Sequence, residues 1–581
     1  MLHGLSKYCL LSALILLLCC ALPLRAQSSP TEKVDSTAAG KITGRVVNEN
    51  GQGIPNAVVS VSGYGEDEGQ EVATDANGNF KIIGLSRIAY RLSAEVPGYV
   101  PKPRDPDSNP IGYYHAGDAV RLEMTKGGVI TGTVTKANGD PVVGADVRAY
   151  LIRDYKGQTV RYSTPSSSRE TDDRGVYRMY GLAPGTYVVS AGGGDMSDYA
   201  VKPFGTDAPT FAPSSTRDTA IEITVNSGEE AANIDIHYRG DPGHVVSGKI
   251  ANSSGTEGHS FEVVLYSEVR GGQHAAYNVY SHSVSRGFIF SGVADGEYQI
   301  VAQGESRSGW FLSEPLRINV TGADVTGVEL NFKPLASISG SLVFEDAKAP
   351  GCQDKPRPLL GETVIGAYHN EKNAAKEQPQ FVWDLGQPVT PDSHGAFVLR
   401  NLAAGQYRFS TRPLAKFWYL KSIAWPAVAR AAQANQPLDA ARNWTTIKTG
   451  DKLSGLTITF ASGAGSLQGR IENPVKSLPP RAFVYLAPAE SDKREDVLRY
   501  FAVLAESDGS FAIGNIPPGR YWVLAKAAVE SDANMLSKLR LPDETQLRAK
   551  ILHDGELAKA SAELKPCQSV SDYKVPLRPI E

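Results

Sequence analysis

The stretch 129–151, VITGTVTKANGDPVVGADVRAYL, with its continuation 170–191, ETDDRGVYRMYGLAPGTYVVSA, decides the fold. Apolar and polar residues alternate on both sides of Gly132, which is the period of a half-buried β-strand. NGDPVVGA is a turn followed by a second strand. TDDRGVY places Asp172 three residues before Gly175, a pattern for a hairpin in which the acid bonds following amides and the glycine takes positive φ. The aromatic Tyr177 then starts a return strand on its core face. GLAPGTY reverses the chain again before another alternating run.

Working outward, the same pattern returns. It begins as KITGRVVNENGQGIPNAVVSVSG at 41–63 and continues as VATDANGNFKIIGL at 72–85. VVSGKI (245–250) is answered by SRGFIFSGVADGEYQIVA (285–302), SISGSLVF (337–344) by PDSHGAFVLRNLAAGQYRFS (391–410), and SLQGRI (466–471) by ESDGSFAIGNIPPGRYWVLA (506–525). The recurring glycines are Gly44, Gly132, Gly248, Gly340 and Gly469. Their spacing of roughly 90 to 130 residues suits whole domains, not solenoid units. The turn residues expected from the pattern are Asp75 and Gly78, Asp172 and Gly175, Asp392 and Gly395, and Asp508 and Gly509. In the third copy Ser285 stands near the place of the turn acid. Most copies close on two short strands, for example IEITVNSG and IDIHY, giving about seven strands per copy.

The fold class expected is all-β: about five tandem Ig-like or transthyretin-like antiparallel β-sandwiches, with small helical insertions in the last two. The expected division is a signal peptide at 1–26, a flexible leader at 27–39, and sandwiches at 40–126, 127–240, 241–334, 335–463 and 464–581. The insertions fall at Trp425 to Trp444 and Met535 to Leu557, where Ala, Leu, Lys, Arg and Gln dominate. Short junctions suggest a semi-rigid rod.

These residues resemble the carboxypeptidase regulatory-like domain, a transthyretin-like sandwich. Residues 128–191 carry the resemblance best. It implies a sandwich fold and an extracellular setting. It does not imply peptidase activity, because in that family the domain is an appendage beside a zinc peptidase.

Composition agrees with an exported globular chain. The 581 residues carry 59 basic and 63 acidic side chains, with 57 Gly, 36 Pro and 25 Tyr. Such a balance leaves no electrostatic footprint for nucleic acid. Lys7, the apolar run 9–21 and Ala26 before Gln27 read as a signal peptide. The run is shorter than the roughly 20 residues of a spanning helix, and no later segment is apolar enough to span. Three of the five cysteines would leave with the signal. Cys352 and Cys567 remain as a candidate disulfide, with two separate buried thiols as the alternative.

Catalytic constellations are not expected. HExxH is missing, and His259 with Glu262 is a single HxxE inside a strand pattern. GxSxG is missing as well. Glu66, Asp67, Glu68 and Glu71 crowd a hairpin tip, where a solvated turn is the expectation. Asp105, Asp107 and Asn109 alternate as in a calcium loop, but Pro110 and Ala116 stand where Gly and Glu are needed. Arg239, Gly240 and Asp241 spell a junction tripeptide. No cofactor and no metal are expected.

Trp418, Trp425 and Trp444 are the candidate ligand-face aromatics, since flat rings stack on sugars, although core packing is the commoner fate of such residues. The function expected is a non-catalytic, secreted, periplasmic or cell-envelope binding or scaffold protein. Its candidate partners are a polysaccharide or another envelope or extracellular protein. The alternatives are a hydrolase accessory or divergent metallopeptidase, and a purely structural spacer.

Overall fold

Each copy is organised around one cross-strand pair, the repeat glycine opposite the aromatic that follows the turn. Gly44 lies opposite Phe80, Gly132 opposite Tyr177, Gly248 opposite Phe288, Gly340 opposite Phe397 and Gly469 opposite Phe511. The computed structural model describes residues 40–578 except 64–68, 103–112, 161, 164–166, 194–202, 252–259, 270–271, 283–286, 307–308, 350, 354, 371–385, 413–414, 427–437, 473–480 and 529–534. The expected signal peptide and leader therefore lie outside the described residues. Gly40–Glu581 form one compact unit.

The first sandwich shows the plan. Its opening strand Gly40–Val47 pairs antiparallel with Asn79–Leu85 and parallel with the closing strand Ala119–Lys126. The facing sheet runs Gly69–Ala73, Val58–Gly63, Ala89–Glu95 and Tyr114–His115. Ile42, Val59, Phe80, Leu92 and Val120 fill the space between the sheets. A mixed sheet thus faces an antiparallel one, which qualifies the wholly antiparallel expectation. The parallel first-to-last pairing recurs in all five copies, for instance between Ala336–Glu345 and Lys452–Ser462.

Burial follows the alternation read from the sequence. In Gly128–Thr135 every second residue is buried, so one face of the strand supplies core and the other meets solvent or a neighbour. Five large apolar clusters among the described residues follow the chain in order. The fourth cluster also takes Val497 and Leu498 from the fifth segment.

The turns carry the expected bonds but are not hairpins, a correction to the sequence expectation: each passes the chain from one sheet to the other, as from Gly69–Ala73 to Asn79–Leu85 and from Ser167–Glu170 to Val176–Leu182. Asp75 Oδ1 accepts from the amides of Asn77 and Asn79 at 2.9 and 2.8 Å, and Gly78 sits at φ 78°. Asp172 and Asp392 repeat this with Val176 and Ala396, at 2.7 and 2.8 Å. The fifth turn differs by position. Glu506 holds the first place through backbone bonds with Gly509 and Ser510, and Asp508 instead accepts from the amide and hydroxyl of Ser510. The equivalent of this turn in the third copy, with Ser285, falls outside the described residues.

The loop before the last tyrosine is closed by that tyrosine. Tyr90, Tyr187, Tyr298 and Tyr521 donate their hydroxyls to the carbonyls of Ser86, Ala183, Ala294 and Pro517, four residues back, at 2.7–3.1 Å. Tyr407 stands at the same place in the fourth copy, where burial pushes its hydroxyl up to about 12. This tyrosine corner explains why Gly-x-Tyr recurs: the ring is buried and its one polar atom needs a partner.

Among the described residues, α-helix is confined to the fifth segment. Two helices, α1 (Met535–Leu539) and α2 (Thr545–Ala558), cover its outer sheet. Gly555 makes the approach possible, since a Cβ there would lie 2.7 Å from Trp522 Cβ. The core of the other expected insertion, 427–437, lies outside the described residues.

Candidate binding surfaces

The first and fourth segments, far apart in the sequence, touch directly. The loop 359–364 of the fourth segment seats on the first sandwich. The Ala89 amide donates to the Gly361 carbonyl at 3.1 Å, and His115 Nε2 lies 3.1 Å from the Glu362 carbonyl. Ala89, Tyr113 and Val364 form a buried apolar cluster between them. Arg87 reaches Glu362 at 3.7 Å, and Arg91 bonds Gln387 at 2.6 Å. Asp118 accepts from the His115 amide at 2.8 Å, and hydrogen bonding from His115 holds its carboxyl below the usual carboxylate range. No local sequence signal marks LLGETV as a docking loop, which is why sequence reasoning missed it.

The fourth and fifth segments are joined covalently and by polar contacts. Cys352 and Cys567 form a disulfide with a Cα–Cα distance of 5.5 Å across a sequence separation of 215. Asn515 Nδ2 donates to the carbonyls of Ala415 and Trp418 at 3.0 and 2.7 Å. Arg442 pairs with Glu495.

Two of the three candidate ligand-face tryptophans are core residues, a correction to the sequence expectation. Trp418 is 1% exposed and Trp425 2% exposed. Trp418 packs edge-on against Phe344 and donates to the Pro356 carbonyl at 3.0 Å. Trp425 packs against Phe409 and donates to Thr445 Oγ1 at 3.1 Å. With both rings buried and both indole protons engaged, neither ring is offered to a sugar. Trp444 is half-buried.

The remaining candidates separate. Glu262 is buried and accepts from Gln303 Nε2 at 2.5 Å inside the third sandwich, while His259 lies outside the described residues. Glu71 accepts from Ser60 at 3.1 Å, and Glu66, Asp67 and Glu68 lie outside, as do Asp105, Asp107 and Asn109. Arg239 and Asp241 pair with each other at 2.6 Å, and the Asp241 carbonyl takes the Ala208 amide, so that tripeptide is tied to its own junction. Among the described residues no group of three or more metal-binding side chains converges, and no helix is long and apolar enough to cross a membrane.

Open clefts among the described residues include two of mixed polar and apolar lining. One, of about 790 Å³, lies on the outer face of the first sandwich over Ser60, Ser62, Gln70, Glu71, Arg91 and Ser93. The other, of about 730 Å³, opens in the fifth sandwich beside Arg470, Glu506, Phe511, Asp572, Tyr573 and Lys574. Arg470 is held there by Asp508 at 2.9 Å. Such surfaces offer hydroxyl, amide and charged groups to a ligand.

Comparison with known proteins adds the following. No curated protein matches the chain. Among solved structures it is similar to the minor pilin GBS52 of Streptococcus agalactiae, at 14% identity over 34% of this chain and 96% of that one, with a TM-score of 0.19. It is similar to BcpA, the major pilin subunit of Bacillus cereus, at 14% identity over 51% and 99% of the two chains, with a TM-score of 0.12. For the shaft pilin SpaA of Lactobacillus rhamnosus GG the values are 10%, 34%, 98% and 0.16. A family model also matches, and it spans the Gly44–Phe80 pair and the Asp75 turn. Residues 41–109 are thus similar to the carboxypeptidase regulatory-like domain.

Proposed function

We propose that this chain is a non-catalytic binding or scaffold protein of the extracytoplasmic space, built from five sandwiches at 40–126, 127–240, 241–334, 335–463 and 464–581. The observation that carries this reading is the way the segments are fastened together. The seat of Gly361–Val364 on Ala89 and Tyr113, and the Cys352–Cys567 bond, hold sandwiches in fixed relation. A fixed array presents loops and clefts at set spacings, which is what multi-point attachment to a polymer or an envelope partner requires. A disulfide also suits an oxidising compartment. The ligand class proposed is polysaccharide, with the cleft over Ser60 and Arg91 as the surface.

The test is a binding screen of the purified chain against cell-wall and plant polysaccharides, with zinc analysis of the same sample. Retention on at least one polysaccharide, reduced by Arg91→Ala, is the expected outcome. Stoichiometric zinc with peptide hydrolysis would overturn the reading.

A further inference from the structure

The sheet edge formed by Gly272–His282 in the third sandwich is built unlike its counterparts. The strand is 11 residues long and pairs antiparallel with Ser260–Val269. In the first and second sandwiches the same place is held by Gly69–Ala73 and Ser167–Glu170, 5 and 4 residues long. Those two carry charges, Glu71 in one and Arg169 with Glu170 in the other. In the fifth sandwich it is held by Phe501–Leu504, 4 residues long, against which Met535 and Leu539 of α1 pack. Short length, charge and a covering helix are ordinary ways of keeping a sheet edge from pairing with another chain. Gly272–His282 is long, and its sequence GQHAAYNVYSH contains no Asp, Glu, Lys, Arg or Pro.

This edge already accepts a strand. Tyr162–Ser163 of the second sandwich joins it in parallel, with Tyr162 opposite Gln273 and Ser163 opposite His274. By Ser167–Glu170 the chain is back on its own sandwich, paired with Asp146–Asp154. The register with Ser260–Val269 slips between Ala275 and Tyr277, a bulge that sets the two covered residues apart from the rest. Beyond it Tyr277–His282 runs in unbroken register, from Tyr277 opposite Leu265 to His282 opposite Ser260. Among the described residues no further strand pairs with this run. Every second residue of it turns both its N–H and its C=O away from Ser260–Val269, which leaves a row of backbone donors and acceptors for another strand.

We propose that Tyr277–His282 is a homodimerisation edge, at which a second copy of this chain adds the same run in antiparallel. The two-fold axis stands perpendicular to the sheet at Val279, which faces the partner's Val279. Asn278 faces the partner's Tyr280, and Tyr277 faces the partner's Ser281. Residues on one face of the sheet then meet residues of the same face, and the two sheets become one. The occupant is a second copy because the run is complementary to itself. The pairing aligns aromatic and β-branched residues, which favour strands, and opposes no like charges. It also closes at two copies, as an isologous contact does.

Sedimentation velocity of the full chain over a range of concentrations tests the pairing. A reversible monomer–dimer equilibrium is expected. Asn278→Lys combined with Tyr280→Lys opposes like charges on both sides of the axis, and should raise the dimer dissociation constant at least about tenfold. Asn278→Glu combined with Tyr280→Lys opposes unlike charges at the same places and should restore the dimer. Gln70→Lys, on the exposed edge of the first sandwich, should change nothing. Because substitutions within a strand can disturb folding, amide exchange of the unaltered chain is the second measurement. Exchange in Tyr277–His282 should slow as the concentration rises, while exchange in Gly69–Ala73 stays constant. A chain that is monomeric throughout, a dimer that survives the double-lysine variant, or a glutamate–lysine variant that stays monomeric overturns the pairing. So does a dimer whose Tyr277–His282 amides exchange as fast as those of the monomer.

Discussion

Gly44 faces Phe80 on the paired strand so closely that a Cβ on Gly44 would lie 2.4 Å from the ring Cζ and 2.3 Å from the Val120 carbonyl oxygen. The repeat glycine is therefore the floor on which the aromatic lies and over which the closing strand passes. Gly132 is tighter still, at 2.0 Å from the Ile234 oxygen. Gly132→Ala should lower stability by about 1–3 kcal/mol, as overpacking does. Gly514→Ala, where nothing lies within 4 Å, should leave it unchanged. Urea unfolding followed by fluorescence would show the difference.

Tyr187 is fully buried, and its hydroxyl serves the Ala183 carbonyl at 2.7 Å. Tyr187→Phe keeps the ring and removes the bond. A loss of about 1 kcal/mol is expected, read as a shifted denaturation midpoint with unchanged slope.

The Cys352–Cys567 bond closes a loop with a separation of 215 residues. In the chain-entropy description such a loop contributes about 5 kcal/mol. Reduction, or Cys567→Ser, should lower the melting temperature of the fourth and fifth sandwiches and leave the first three unaffected. Calorimetry with and without dithiothreitol would resolve the two transitions.

The first-to-fourth seat predicts a site-specific change in exchange. Val364→Asp would place a carboxylate between Ala89 and Tyr113, where a charge without a partner is costly. Amide exchange at Ala89, whose proton goes to Gly361, should accelerate while exchange at Val59 in the same sandwich stays slow.

The turn acids set a pH limit. Backbone bonds from Asn79 and Val176 hold the Asp75 and Asp172 carboxyls below the usual carboxylate range, and bonds from Ser510 do the same for Asp508. Because the folded pKa values are depressed, their contribution is present above the unfolded value of about 3.9 and lost as pH falls below it. Melting temperature should therefore drop between about pH 4 and pH 2, and Asp75→Ala should flatten that slope.

Much of the fold was legible because it is local and repeated. Alternation around Gly132, the Asp172–Gly175 turn and the Gly-x-Tyr loop each encode a pairing within a short stretch. The Thr preceding the turn acid was an unread part of the same code: Thr74 accepts the Ala57 amide and donates to Ile54, and Thr171 repeats this with Ala145 and Val142. The binding surfaces were not legible, because they depend on how separate sandwiches meet. Trp418 was a candidate ligand aromatic, yet its ring lies in the core edge-on to Phe344.

The parallel pairing of first and last strands sends the chain out of each sandwich at the pole opposite to its entry. Modules of this kind can be strung end to end with almost no connecting polypeptide, so duplication is an easy route to a longer protein. The seat between the first and fourth modules restrains that freedom. Removing the second or third would leave Gly361–Val364 without a counterpart, so the number of units between them is fixed by a contact neither unit makes.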